Sequence, residues 1–120
     1  MDANIIVDLR ASELDPGLSL FRLKGHLDSK TVGELEARFE QELKSSRVRW
    51  IMDCKNLEYI SSAGLKSFVN ALPGLKGQSG DMFFINLPPK LGKIFKVMGF
   101  MELFKIFTSE AEAAQAFQRV

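Results

Sequence analysis

What most constrains this chain is a change of hydrophobic period, repeated several times along 120 residues. Short β-type runs alternate with stripes of helical spacing. Asn4–Leu9 reads NIIVDL and Leu18–Leu23 reads LSLFRL, both strand-like. Between them Asp15-Pro16-Gly17 is a turn signal, so the two runs are expected to pair as an antiparallel hairpin. The period then changes: Val32, Leu35, Phe39 and Leu43 recur at spacings of three and four, the apolar stripe of an amphipathic helix. Thr31 with Glu34 is a capping-box pair at its start.

The alternation continues to the end. Val48–Met52 is a short apolar run closed by Asp53, read as a buried strand. Ser61-Ser62-Ala63-Gly64 precedes a second helix carrying Leu65, Phe68, Val69 and Leu72 inward, and Pro73-Gly74 is expected to stop it. Asp81–Asn86 is another buried strand. Leu91, Ile94, Phe95 and Met98 mark a third helix ending at Gly99, and Leu103–Phe107 a short strand. Ser109 with Glu112 is a second capping box, opening a helix with Ala113, Ala116 and Phe117 inward.

The order β-β-α-β-α-β-α-β-α predicts an α/β fold. Its sheet is mixed but mostly parallel, with right-handed crossovers, an N-terminal antiparallel strand and four helices. The length suits one domain over residues 1–120.

Composition narrows the function classes. Hydrophobic residues make up 46% of the chain, enough for a packed core. A formal net charge of +1 lacks the basic excess of a nucleic-acid binder. One cysteine, Cys54, rules out an intramolecular disulfide and fits a cytoplasmic compartment. With His26 the only histidine, a four-ligand His/Cys zinc site cannot be built, and no metal or cofactor is expected. No stretch approaches the roughly 20 apolar residues of a membrane span, so no membrane insertion is expected. The start lacks the basic residues and long apolar run of a signal peptide.

Enzyme motifs are missing as well: there is no GxGxxG, no Walker GxxxxGK[ST] and no G-x-S-x-G. A triad of Ser61 or Ser62 with His26 and an aspartate is conceivable but ranks last, and the chain is read as a binding module rather than an enzyme. In parallel α/β sheets the functional loops lie beyond the carboxyl ends of the strands. Three qualify: Gly25 to Asp28, Asn56 to Gly64, and Asn86 to Lys90.

The middle segment, Asp53-Cys54-Lys55-Asn56-Leu57-Glu58-Tyr59-Ile60-Ser61-Ser62-Ala63-Gly64-Leu65, resembles the signature of STAS domains, the anti-sigma-factor antagonist family. Leu23-Lys24-Gly25-His26-Leu27-Asp28 resembles the family's L-x-G-x-L-D turn. Phe84-Ile85-Asn86 is similar to its fourth-strand ending, and Gly99-Phe100 through Phe107 to its G-[LF]-x-x-x-F segment. Ser109–Ala114 resembles its closing helix start.

The resemblance implies an anti-sigma factor antagonist. Its partner would be both anti-sigma factor and serine kinase, the kinase would phosphorylate Ser62 and end binding, and a serine phosphatase would reset the domain. Where better-known members carry Asp before the acceptor, this chain has Ser61, which becomes a second choice of acceptor. The partner-binding set implied is Asp28, Ser61, Ser62, Ala63 and Gly64. The runner-up that the resemblance allows is a scaffold or sensor subunit, in a lipid-transport ATPase complex or a stress-signalling assembly, binding constitutively without a phosphoswitch.

The residues leave alternatives open. Ser62 is an acceptor or a plain N-cap serine, and serines are favoured caps. Asp28 contacts the partner or serves as a carboxylate at a helix start. Asp53 is expected to bond loop amides, Tyr59 to pack the loop and Cys54 to fill the core. His26 is read as a solvated turn residue. Lys90, Lys93 and Lys96 form a basic stripe that faces either an acidic or anionic surface or plain solvent. Phe100 and Met101 beside it either make an exposed apolar contact or cap the core.

Overall fold

The computed structural model describes residues 4–118. Five strands form one sheet in the order β1-β2-β3-β4-β5. The strands are β1 (Ile5–Ala11), β2 (Ser19–Leu27), β3 (Arg49–Ile60), β4 (Asp81–Ile85) and β5 (Lys105–Phe107). The helices are α1 (Val32–Lys44), α2 (Ser62–Lys76), α3 (Pro89–Val97) and α4 (Glu110–Gln118). β1 runs antiparallel to β2, and the remaining neighbours are parallel. Element order and strand sense are those the alternation predicts.

The two faces of the sheet are filled differently. α1, α2 and α3 cover one face, over Phe21, Leu23, Trp50, Met52 and Phe84. Trp50 is fully buried; its ring stacks on Phe39 at 4.7 Å and its indole N–H donates to the Arg47 carbonyl at 2.8 Å. α4 covers part of the other face through Ala113, Ala114 and Phe117, over Leu20, Ile51, Phe83 and Ile85.

Several boundaries differ from expectation. α2 does not stop at Pro73 but continues to Lys76. Proline in the last turn forfeits one hydrogen bond, and the continuation places Leu75 fully in the core. The Thr31–Glu34 capping box does not form. The Thr31 hydroxyl instead donates to the His26 carbonyl and accepts from the Asp28 amide. The second box does form: the Glu112 amide donates to Ser109 at 3.2 Å, and the Glu112 carboxylate takes the Thr108 amide at 2.9 Å. The Thr108 hydroxyl also donates to that carboxylate, and the hydroxyl and amide bonds together hold the Glu112 carboxyl below its ordinary range.

Met98 is exposed rather than inward, because α3 ends before it. The Phe100 amide donates to the Phe95 carbonyl and the Gly99 amide to that of Lys96, closing the helix in a Schellman turn. Phe100 is thereby buried against Phe95, whereas Met101 is exposed. Leu103 lies outside β5 and is also exposed.

The largest departure is β3, expected to end at Met52 yet extended to Ile60. It pairs with β4 only from Arg49↔Asp81 to Asp53↔Ile85. Past Asp53 it is held by β2 alone, from Lys24↔Asn56 to Leu27↔Ile60. β2 advances five residues from Arg22 to Leu27, so this two-stranded ribbon projects roughly 16 Å past β4 at about 3.3 Å per residue.

Two register shifts, at Arg22/Lys24 and Gly25/His26, each insert one extra residue into β3. Side-chain alternation is thus broken, and the buried positions of the projection are Cys54, Leu57 and Ile60, three apart. Gly25 sits at the second bulge with φ +105°. A Cβ there would collide with the Asn4 carbonyl, which accepts from the His26 amide.

Candidate functional site at the tip of the ribbon

The ribbon delivers two loops to one place. β2 ends at Leu27, paired with Ile60 at the end of β3; Asp28 follows the first and Ser61 the second. The Ser61 amide donates to the Leu27 carbonyl at 2.9 Å, joining the two strand ends.

Ser61 and Ser62 are adjacent in sequence and opposite in circumstance. Ser61 is extended (φ −93°, ψ 174°) and is the N-cap of α2. Its hydroxyl accepts from the Gly64 amide at 3.2 Å, and its carbonyl accepts from the Leu65 amide at 2.9 Å. Ser62 is the first residue of α2, and its side chain is exposed. Among the described residues its hydroxyl has no hydrogen-bond partner. The N-cap role open to Ser62 from the sequence therefore belongs to Ser61.

The first turn of α2 contains no acidic residue, so the positive end of the helix dipole is not neutralised there. Backbone N–H groups at that position lack intrahelical acceptors. An anion at Ser62 would be favoured by both.

The remaining expected residues fall into place around this pair. Ala63 is half-buried beside Ser62. Gly64, also in the implied partner-binding set, is buried. A Cβ there would lie 2.7 Å from the Leu27 carbonyl and 2.9 Å from Ile60, so its small size serves the packing of α2 against the strand ends. Asp28 is half-buried, and its carboxylate accepts the Lys30 amide at 2.9 Å and the Thr31 amide at 3.1 Å. It closes the turn into α1.

Three residues lie beside the tip in roles the sequence does not reveal. Tyr59, expected to pack the loop, is 45% exposed. Its ring lies 5.7 Å from that of His26, its cross-strand partner. His26 is a strand residue rather than part of a turn, and its Nε2 lies 3.3 Å from the Glu58 carboxylate. The ring thus turns to Glu58; the Ser–His hydrogen bond of a hydrolase is not made among the described residues. The spacing of three in Cys54, Leu57 and Ile60 is the signal that could have placed Glu58 and Tyr59 outward.

The third loop stays back at the end of β4. Asn86, at φ 56°, donates its side-chain amide to Asp53 at 3.2 Å. Asp53 also accepts the Lys55 amide at 3.1 Å, so it fastens β3 where β4 gives out. Cys54 is fully buried; burial, and next the Asp53 charge, push its thiol far up, which keeps it protonated and unreactive. No group of three metal-ligating side chains occurs among the described residues. No helix among them is long and apolar enough to cross a membrane.

The family model for the STAS domain matches residues 10–113. The chain belongs to the STAS domain family. Among relatives, BtrV of Bordetella bronchiseptica, named as a candidate anti-sigma factor antagonist, is 29% identical over 102 residues, covering 85% of this chain and 88% of its own. An anti-sigma factor antagonist from Mycobacterium paratuberculosis superimposes with a TM-score of 0.82 at 20% identity, covering 93% of this chain and 92% of that one. The Bacillus cell fate determinant SpoIIAA in its phosphorylated form superimposes with a TM-score of 0.71 at 19% identity, covering 93% and 99%. These likenesses establish the STAS fold, with its five-stranded mixed sheet and four helices.

Proposed function

We propose that this STAS domain is an anti-sigma factor antagonist. It binds an anti-sigma factor that is also a serine kinase, and phosphorylation of Ser62 by that kinase releases it. A serine phosphatase restores the binding form. The observation that carries the reading is the division of labour between the serines: Ser61 holds the helix start, and Ser62 presents an exposed, unbonded hydroxyl at its positive end. The names of relatives as antagonists support the class of partner.

The chemistry follows from the position. A phosphate on Ser62 brings roughly −1.5 to −2 charges and three acceptor oxygens. At the start of α2 it meets free amides and the dipole, worth about 0.3–1 kcal/mol at a surface site, so the domain tolerates it. A partner docked over the tip meets the added bulk and charge directly. Modification thus breaks the complex and leaves the fold intact. Ser61 is the poorer acceptor, because its phosphorylation would disturb the cap.

The test uses the purified domain and its cognate kinase, separated by size-exclusion chromatography. With ADP a complex forms. With ATP it dissociates for the wild type and persists for Ser62→Ala. A wild-type complex that ATP leaves intact and unmodified would instead identify a constitutive scaffold subunit.

A further inference from the structure

The lysines of α3 take no part in the site just described, and their surroundings single them out. Lys90, Lys93 and Lys96 are exposed, and none has a carboxylate within ion-pair distance among the described residues. Lys90 also lines a groove of about 470 Å³, together with Lys24, Lys55, Asn56, Leu57 and Pro88. Lys24 and Lys55 are likewise exposed and have no ion-pair partner among the described residues. Glu58, the acid at this groove, faces His26. The groove lies along the edge of β3 that loses its neighbour where β4 ends, opposite the start of α3.

At the other end of α3 the surface changes character. Val97 is 84% exposed, and Met98, Met101 and Leu103 are each about half exposed. Lys90, Lys93 and Val97 are three and four apart, so they share one face of the helix. The Schellman turn at Gly99 fixes the apolar tip at the end of that stripe. A run of unpaired cations thus leads from an open strand edge to a cluster of exposed aliphatic and thioether side chains. Burial of such a cluster against a partner is favourable, and methionines adapt readily to a partner's shape.

We propose that this face, from the β2–β3 groove along α3 to Leu103, is a second docking surface. It takes an acidic segment of a protein partner that ends in an apolar anchor. Charge complementarity selects the occupant: the surface presents Lys24, Lys55, Lys90, Lys93 and Lys96, with Glu102 the acid at the tip. The proposal rests on the reading of the chain as a partner-binding domain, but not on modification of Ser62.

The probe is a synthetic peptide of repeating Glu-Glu-Leu, with a Gln-Gln-Leu peptide as control, titrated into the whole domain and followed by amide NMR shifts. The expected result is binding of the acidic peptide with shifts confined to residue 24 and to residues 55–58 and 88–103. Lys24→Gln, Lys55→Gln, Lys90→Gln and Lys93→Gln together weaken it about tenfold, through loss of charge pairing. Met98→Ser with Met101→Ser weakens it several-fold, and Lys44→Gln at the end of α1 leaves it unchanged. Absence of binding, or affinity indifferent to these substitutions, overturns the proposal. So does preferential binding to phosphatidylglycerol–phosphatidylcholine vesicles with no response to the peptide. Ser62→Asp binds the peptide as wild type does, so failure of the phosphoswitch and failure of this surface give different results.

Discussion

The two halves of β3 show how one strand serves two purposes. From Trp50 to Asp53 it is paired on both edges, and Trp50, Ile51 and Met52 are fully buried between the helical layers. From Cys54 to Ile60 it has β2 as its only strand partner among the described residues, carries two bulges, and buries Cys54, Leu57 and Ile60. The first half is the rigid centre of the sheet. The second is an arm that holds two loops and a helix start clear of the body. The arm is anchored by Cys54, Leu57 and Ile60 in the core and by β2 along one edge.

Breaking the centre has the largest expected effect. Trp50→Ala removes the stack on Phe39 and the bond to Arg47, and should cost about 3–5 kcal/mol in urea unfolding. Gly64→Ala strikes the arm. Its Cβ would press on the Leu27 carbonyl and Ile60, costing about 1–3 kcal/mol and displacing the start of α2. Amide NMR would show the shifts concentrated at residues 27–28 and 60–65. The serine pair sharpens the contrast further. Ser61→Ala loses the cap and about 1 kcal/mol, whereas Ser62→Ala should fall within about 0.5 kcal/mol of wild type. Equal losses for the two would contradict the assignment of the cap.

The smallest effect lies outside both halves, at α4. The folded-state pKa of Glu112 is lowered by its Thr108 bonds. Its contribution is complete above the ordinary carboxylate range and is lost as pH falls through the lowered value. Glu112→Gln should lower the neutral plateau of the melting temperature slightly and so flatten the acid limb, the two proteins converging at low pH.

Legibility in the sequence follows the same division. The strand and helix order, the parallel sheet and the stripe of α1 are visible because regular elements write their period into the residues. The arm is not visible as a strand. Its two bulges convert alternation into a spacing of three, which matches no regular strand, so Asn56–Ile60 reads as loop. The importance of Ser61-Ser62-Ala63-Gly64 is legible as a motif, but not the division of roles within it. Which serine caps the helix depends on a one-residue placement of the helix start, finer than sequence pattern resolves. Met98 illustrates the same limit, since α3 stops one residue earlier than its apolar stripe suggests. The failure of the Thr31–Glu34 box has a local cause: Thr31 is drawn into the turn closed by Asp28.

The central claim is that Ser61 is structural and Ser62 is the presented hydroxyl. Intact-mass spectrometry after incubation with the cognate kinase and ATP tests it most directly, on the wild type, Ser61→Ala and Ser62→Ala. The account predicts one phosphoryl group on the wild type and on Ser61→Ala, and none on Ser62→Ala. A phosphoryl group that persists in Ser62→Ala and disappears in Ser61→Ala would contradict it.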